Sequence, residues 1–347
     1  MRRRNKIYCF AWLLLFFFFL GNLCFAVVRA EAKRPKYLFK MASLAPDGSI
    51  WAQRFDEFAR EVQEKSGGEV GFKVYAGGVM GDDRAMFRKM KIGQLQGAGF
   101  TMTGISEMVP DFRVMGIPYL FQSYAEVDEV WDKLMPFQVA AFAEQDMELI
   151  AMSEVGFIYT MSTYPISTLE DLKKSKSWAP DGDPLNLAFI EAVGVTPIPL
   201  SLPDVLVSLQ TGMVNTVFNS YYGSIVLQWF TKVKYITDLP FGYAYGALVI
   251  DKKALVRLPE SLQDIIKTAA QKYFSGKLKE DTRQTNTEAL ATLKANGIEL
   301  VAADPAVVTV LSGLRDQIVA ESVGKYFSPG IYKEMMTILE NYRNARP

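Results

Sequence analysis

The chain has 347 residues, only two cysteines, no histidine, and 38 basic residues balanced by 38 acidic ones. Without histidine there is no Ser-His-Asp triad and no histidine-held zinc. The balanced charge lacks the basic excess that neutralises nucleic-acid phosphates, and no glycine loop ends in Gly-Lys-Ser/Thr. The inventory is that of a binding protein: no enzyme chemistry, no cofactor, no metal and no nucleic-acid partner is expected.

Arg2, Arg3, Arg4 and Lys6 precede an apolar run from Ile7 to Val28, and small residues follow at Ala30 and Ala32. A basic end, apolar middle and small-residue exit make residues 1–32 a secretory signal. The run is also long enough for an uncleaved anchor, since about 20 apolar residues span a bilayer. Either way the domain lies outside the inner membrane, in the periplasm. Lipidation at Cys24 is a third route, for which the bulky Leu23 is a poor context. Both cysteines, Cys9 and Cys24, fall in this segment, so cleavage after Ala30 leaves no thiol and no disulfide. It also leaves 33 basic against 38 acidic residues.

Beyond the signal, Tyr37–Ala42 alternates as a first strand, ended by Pro46-Asp47-Gly48. Ser49 caps a helix in which Trp51, Phe55, Phe58 and Val62 recur at three- and four-residue steps. Val70–Tyr75 is a second strand, Asp82-Asp83 opens a helix to Lys91, and Gly97–Phe100 is a third strand of small residues. This alternation builds a parallel sheet with helices on its faces. Such sheets bind ligands beyond the carboxyl ends of their strands. The loops after Ala42 and Phe100, with Leu44, Thr101, Met102 and Thr103, are therefore candidate ligand contacts. A helix follows from Tyr124 to Gln145, then strands at Leu149–Glu154 and Gly156–Thr163. A second strand–helix alternation runs through Val217, and Tyr243–Ile250 returns as a strand to the first lobe. Leu258-Pro259-Glu260 starts the longest helical pattern, to Ala295. At 1.5 Å per residue it would extend about 50 Å and brace both lobes. Helices at 305–326 and 330–343 end the chain.

From Gly156 the sequence reads GFIYTMSTYPISTLEDLKKSKSWAP, then AVGVTPIPL, then VLVSLQTGMVNTVFNSYY to Tyr222. This stretch closely resembles the ligand-gripping lobe of the solute receptors of tripartite ATP-independent periplasmic (TRAP) transporters, of the DctP type. Gly81-Asp82-Asp83-Arg84, Ile117-Pro118-Tyr119-Leu120-Phe121 and Leu209-Gln210-Thr211-Gly212-Met213-Val214 are similar to further family motifs, in the family's order. The resemblance implies an α/β, two-lobed periplasmic binding protein fold with mixed sheets. It implies lobe I from 33–155 and 244–258, lobe II from 156–243, and a long bracing helix with C-terminal helices over 259–347. It further implies a membrane permease as partner and, in one subgroup, a periplasmic tetratricopeptide-repeat protein.

Two departures bear on the ligand. The family usually carries an arginine two residues after the glycine at Gly156, where this chain has Ile158. A second arginine, which clamps the substrate carboxylate, falls where this chain has Trp178. The family's cleft-wall asparagine is kept as Asn219, but Phe218 precedes it and Tyr221-Tyr222 follow. A buried carboxylate needs a fixed cation, and these positions supply none. The expected cleft is therefore apolar or aromatic-tolerant, with Asn219, Thr101, Thr103, Tyr221 and Tyr222 to orient a ligand. Each residue also has a plainer role: Trp178 and Phe218 as core, one tyrosine as structural, Asn219 as a helix cap. Lys40 and Arg84 remain as cations able to reach a carboxylate. A fold kept for partner docking or sensing, without a transport ligand, is the competing function; a cleft plugged by Trp178 and Phe218 would favour it.

Overall fold

A computed structural model describes residues 34–345. The signal, anchor and cysteine expectations all lie outside those residues. Among the described residues no helix is long and apolar enough to cross a membrane.

Strands β1 (Tyr37–Ser43), β2 (Val70–Tyr75) and β3 (Gly97–Thr101) pair in parallel, β1 in the middle. The Ile50–Lys65 and Asp83–Lys91 helices connect them. The Ser49 hydroxyl accepts from Ala52 N and the Asp82 carboxylate from Ala85 N, so both helices start where the sequence placed them. With β4 at Met147–Ser162, β7 at Thr216–Asn219, β8 at Tyr235–Asp251 and β9 at Glu299–Val301, the seven-stranded sheet then turns antiparallel, in the order β2-β1-β3-β8-β4-β7 with β9 on β8. The result is a mixed sheet in a two-lobed α/β fold.

Two long strands tie the lobes. β4 (Met147–Ser162) and β8 (Tyr235–Asp251) pair antiparallel over almost their whole length. The sequence suggested two strands split at Val155; one strand passes through both lobes instead, with a register shift between Glu154 and Gly156. Gly156 has φ +99°, and a Cβ there would lie 2.7 Å from the Tyr124 hydroxyl, so only glycine suits this bend. The returning strand likewise begins at Tyr235, well before the expected Tyr243. In the second lobe, β5 (Trp178–Pro180) pairs with β6 (Ile198–Leu200), and a bridge from Ser177 to Thr216 links them to β7 (Thr216–Asn219).

The long helical run spans 260–295 but is not one α-helix. Glu260–Ala270 and Lys279–Ala295 flank a π-helical stretch, Gln271–Leu278. Periodicity does not announce such a wide turn. Its last part meets a dense ionic knot. Arg283 Nε and Nη2 donate to Glu154 at 3.0 and 2.8 Å, and Nη1 and Nη2 to Asp128 at 2.9 and 2.7 Å. The Tyr243 hydroxyl also donates to Glu154, at 3.0 Å. The knot sits beside the β4 bend, so the helix braces the place where the lobes join.

Candidate functional site

The parallel strands end at Ser43 and Thr101, and the chain turns there toward the second lobe. Thr101 caps the Met102–Met108 helix, so the expected loop after Phe100 is a helix start. Opposite stand Ile158 on β4, Trp178 on β5 and Phe218 and Asn219 on β7. Between them lies a cavity of about 440 Å³, within the range of small-molecule sites. Its lining is mainly apolar.

Of the residues the sequence nominated, Leu44, Thr101, Met102, Thr103, Ile158, Trp178, Phe218 and Asn219 line this cavity. Tyr221 and Tyr222 do not. Tyr221 stacks flat on Tyr159 with ring centroids 4.2 Å apart. Tyr222 works across the lobes: its hydroxyl accepts from Ile50 N at 3.0 Å and its ring lies 5.2 Å from Trp51. Both tyrosines begin the Tyr221–Val226 helix, whose cap is Ser220, not Asn219. The Asn219 carbonyl oxygen accepts from Ser220 N, and its amide NH₂ donates to no protein group among the described residues.

Trp178 is mostly core. It is 5% exposed, its Nε1 donates to the Leu200 carbonyl at 3.0 Å, and it meets Trp229 edge-on. One part of its surface still forms cavity wall. Phe218 stacks on Phe241 at 4.3 Å. Neither ring plugs the cavity. Trp51, Phe241, Phe274 and Leu278 also line it; the sequence reading missed them, because Phe241, Phe274 and Leu278 are buried core of their own elements and Trp51 reads as part of the first helix's apolar face.

The charges are unevenly distributed. Among the described residues Arg84 is the one basic residue lining the cavity, against six acidic ones; Lys40 is not among the lining residues. Arg84 pairs with Glu107 of its own lobe and, at 2.8 Å, with Asp181 of the other. Gly182 makes this possible. It has φ +92°, and a Cβ there would collide with Glu107 and Arg84. Asn186 is 8% exposed, and its Nδ2 donates to Asp183 while its Oδ1 has no partner.

Asp83 accepts from Thr101 N at 2.9 Å and from Thr101 Oγ1 at 2.7 Å. Burial pushes its carboxyl up to about 6, against the pull of the Thr101 bonds, with Asp82 and Glu107 adding. An unfolded aspartate titrates near 3.9. Between roughly pH 4 and pH 6 the folded state therefore holds more protons, and stability falls as pH rises through that window. The side chain keeps some contact with cleft water, so about 2 kcal/mol is expected, below the full Born-like penalty. Urea unfolding of wild type and Asp83→Asn at pH 4 and pH 7 checks this: the variant should lack that part of the decline.

Residues 41–323 match the bacterial extracellular solute-binding protein family 7, DctP. A solute-binding protein of Chromohalobacter salexigens is 29% identical over 168 residues, covering 48% of this chain and half of that relative's length. The sialic acid-binding periplasmic protein SiaP of Vibrio cholerae is 24% identical over 267 residues, 76% of this chain and 83% of its own. Among solved structures, the sugar acid-binding protein DctPAm of Advenella mimigardefordensis, in complex with galactonate, superposes with a TM-score of 0.83 at 19% identity. That match covers 89% of this chain and 99% of the other.

Proposed function

This chain belongs to the bacterial extracellular solute-binding protein family 7, the DctP-type receptors of TRAP transporters, and from that membership and its cleft chemistry we propose that its ligand is a small, uncharged, largely apolar or aromatic molecule. The protein is a solute receptor, not an enzyme. Closure swings lobe II (156–243) against lobe I (33–155 and 244–258) about Gly156, braced by 259–347, and the closed form delivers solute to a membrane permease. The tetratricopeptide-repeat subgroup is the setting that suits an altered clamp.

One observation carries the ligand reading. Arg84, the single cation of the cleft among the described residues, is already matched by Glu107 and Asp181. An incoming carboxylate would have to displace them or remain unpaired among acidic groups, and an unpaired buried carboxylate is far too costly. The galactonate and sialic acid named for the relatives are both acids, so this receptor departs from them in ligand class. The open cavity favours a ligand over a purely docking role.

Thermal unfolding tests it. Succinate, malate and N-acetylneuraminic acid at millimolar concentration should leave the melting temperature unchanged, while 2-naphthol should raise it saturably. A ligand at a hundred times its Kd adds about 2.7 kcal/mol, readily seen in a melt. A saturable shift with an acid would mean that Arg84 exchanges its protein partners for the ligand, and the organic-acid reading would replace this one.

A further inference from the structure

We propose that the ligand site continues from the interlobe cleft into lobe I as an apolar channel, and that the channel takes the alkyl or acyl chain of an elongated amphiphile ending in a hydroxyl. This rests on the apolar-ligand reading and narrows it. The cavity touches three separate cores, one of them that of Leu44 and Phe100 at the strand ends. On one side are Trp178 and Phe218, from the core of lobe II. On the other are Phe55, Leu248, Phe274 and Leu278, from the core between the lobe I sheet and its covering helices, with Val74 packed against it. A cleft that ended at the strand tips would not reach that layer.

The residues along the way are small: Ser43 on β1, Ala52 on the first helix, Gly99 on β3 and Ala247 on β8. At Gly99 a Cβ would already sit 3.3 Å from the Ser43 hydroxyl. Small side chains where strands meet the helical layer leave room that larger ones would fill. The π-helical turn contributes Phe274 and Leu278; wide turns of this kind recur at functional sites. Phe55, Val74, Leu248, Phe274 and Leu278 give hydrocarbon walls that suit methylenes, with Asp56 of the first helix also on the lining. At the cleft the lining carboxylates, Asp47, Asp82, Glu107 and Asp181 among them, accept from a hydroxyl and repel a carboxylate.

The test is calorimetric titration with hexanol, octanol, decanol and the compact adamantanol, on wild type, Val74→Phe and Ala52→Phe. Each two-methylene step should tighten wild-type binding about fifteenfold, and decanol should bind more tightly than adamantanol, which has as many carbons in a ball. Filling the channel in either variant should abolish the gain at the longer alcohols; the second variant serves if the first does not fold. A flat wild-type series alongside a saturable 2-naphthol shift overturns the channel and leaves the apolar reading standing. A steep series unchanged in both variants places the chain elsewhere and also overturns it. If neither the alcohols nor 2-naphthol bind, both readings fail.

Discussion

Arg283→Ala should lower stability by about 3–5 kcal/mol, because it strands Glu154 without its cation. Glu154 is only 5% exposed and sits at the β4 bend. Its backbone carbonyl is also occupied, accepting from Trp51 Nε1 at 3.0 Å and from Thr282 Oγ1 at 3.3 Å. The side chain therefore cannot turn to water without disturbing the bend. Asp128 would keep Lys279, at 2.7 Å, and so suffers less. Lys279→Ala, by contrast, removes a partly exposed partner and should cost less than about 1 kcal/mol. Urea unfolding of the three proteins at neutral pH measures the difference. A loss below 1 kcal/mol for Arg283→Ala would show that water, not arginine, compensates Glu154.

Trp178→Arg should be still more damaging, at about 4 kcal/mol or above. The substitution restores the arginine that, in the family, clamps the substrate carboxylate, so the alignment alone would suggest a gain of carboxylate affinity. The structure argues otherwise. The indole is packed against Trp229 and its N–H is used on Leu200. A guanidinium there would enter an apolar core without a carboxylate to meet it. Trp178→Phe, which keeps most of the packing and loses one hydrogen bond, should cost only about 1–2 kcal/mol. Near-ultraviolet circular dichroism and urea unfolding read both. A well-folded Trp178→Arg protein that binds succinate would show that a side chain at this position can leave the core and enter the cleft.

The first lobe was legible almost residue by residue. Its strands alternate, its helices carry Ser49 and Asp82 as caps, and local pattern decides both. The split of β4 was misread because Gly156 looks like a terminator, whereas its positive φ lets one strand bend and continue. The π-helical turn was invisible because its residues have the same composition as the α-helices around it. The strand-end rule nominated Leu44, Thr101, Met102 and Thr103, and the family alignment Ile158, Trp178, Phe218 and Asn219; all eight line the cavity. Tyr221 and Tyr222 lie outside its lining, where helix geometry turns one ring onto Tyr159 and the other onto Trp51. The partners of Arg84 lie 23 and 97 residues away in sequence, and no local pattern signals such pairings.

The ligand proposed for this cleft is an uncharged, largely apolar molecule in place of an organic acid. Mass spectrometry of the small molecules released on denaturing protein purified from its own periplasm tests it most directly. The expected result is a stoichiometric neutral compound, apolar or aromatic in its larger part. A stoichiometric mono- or dicarboxylate, such as a sugar acid, would contradict it.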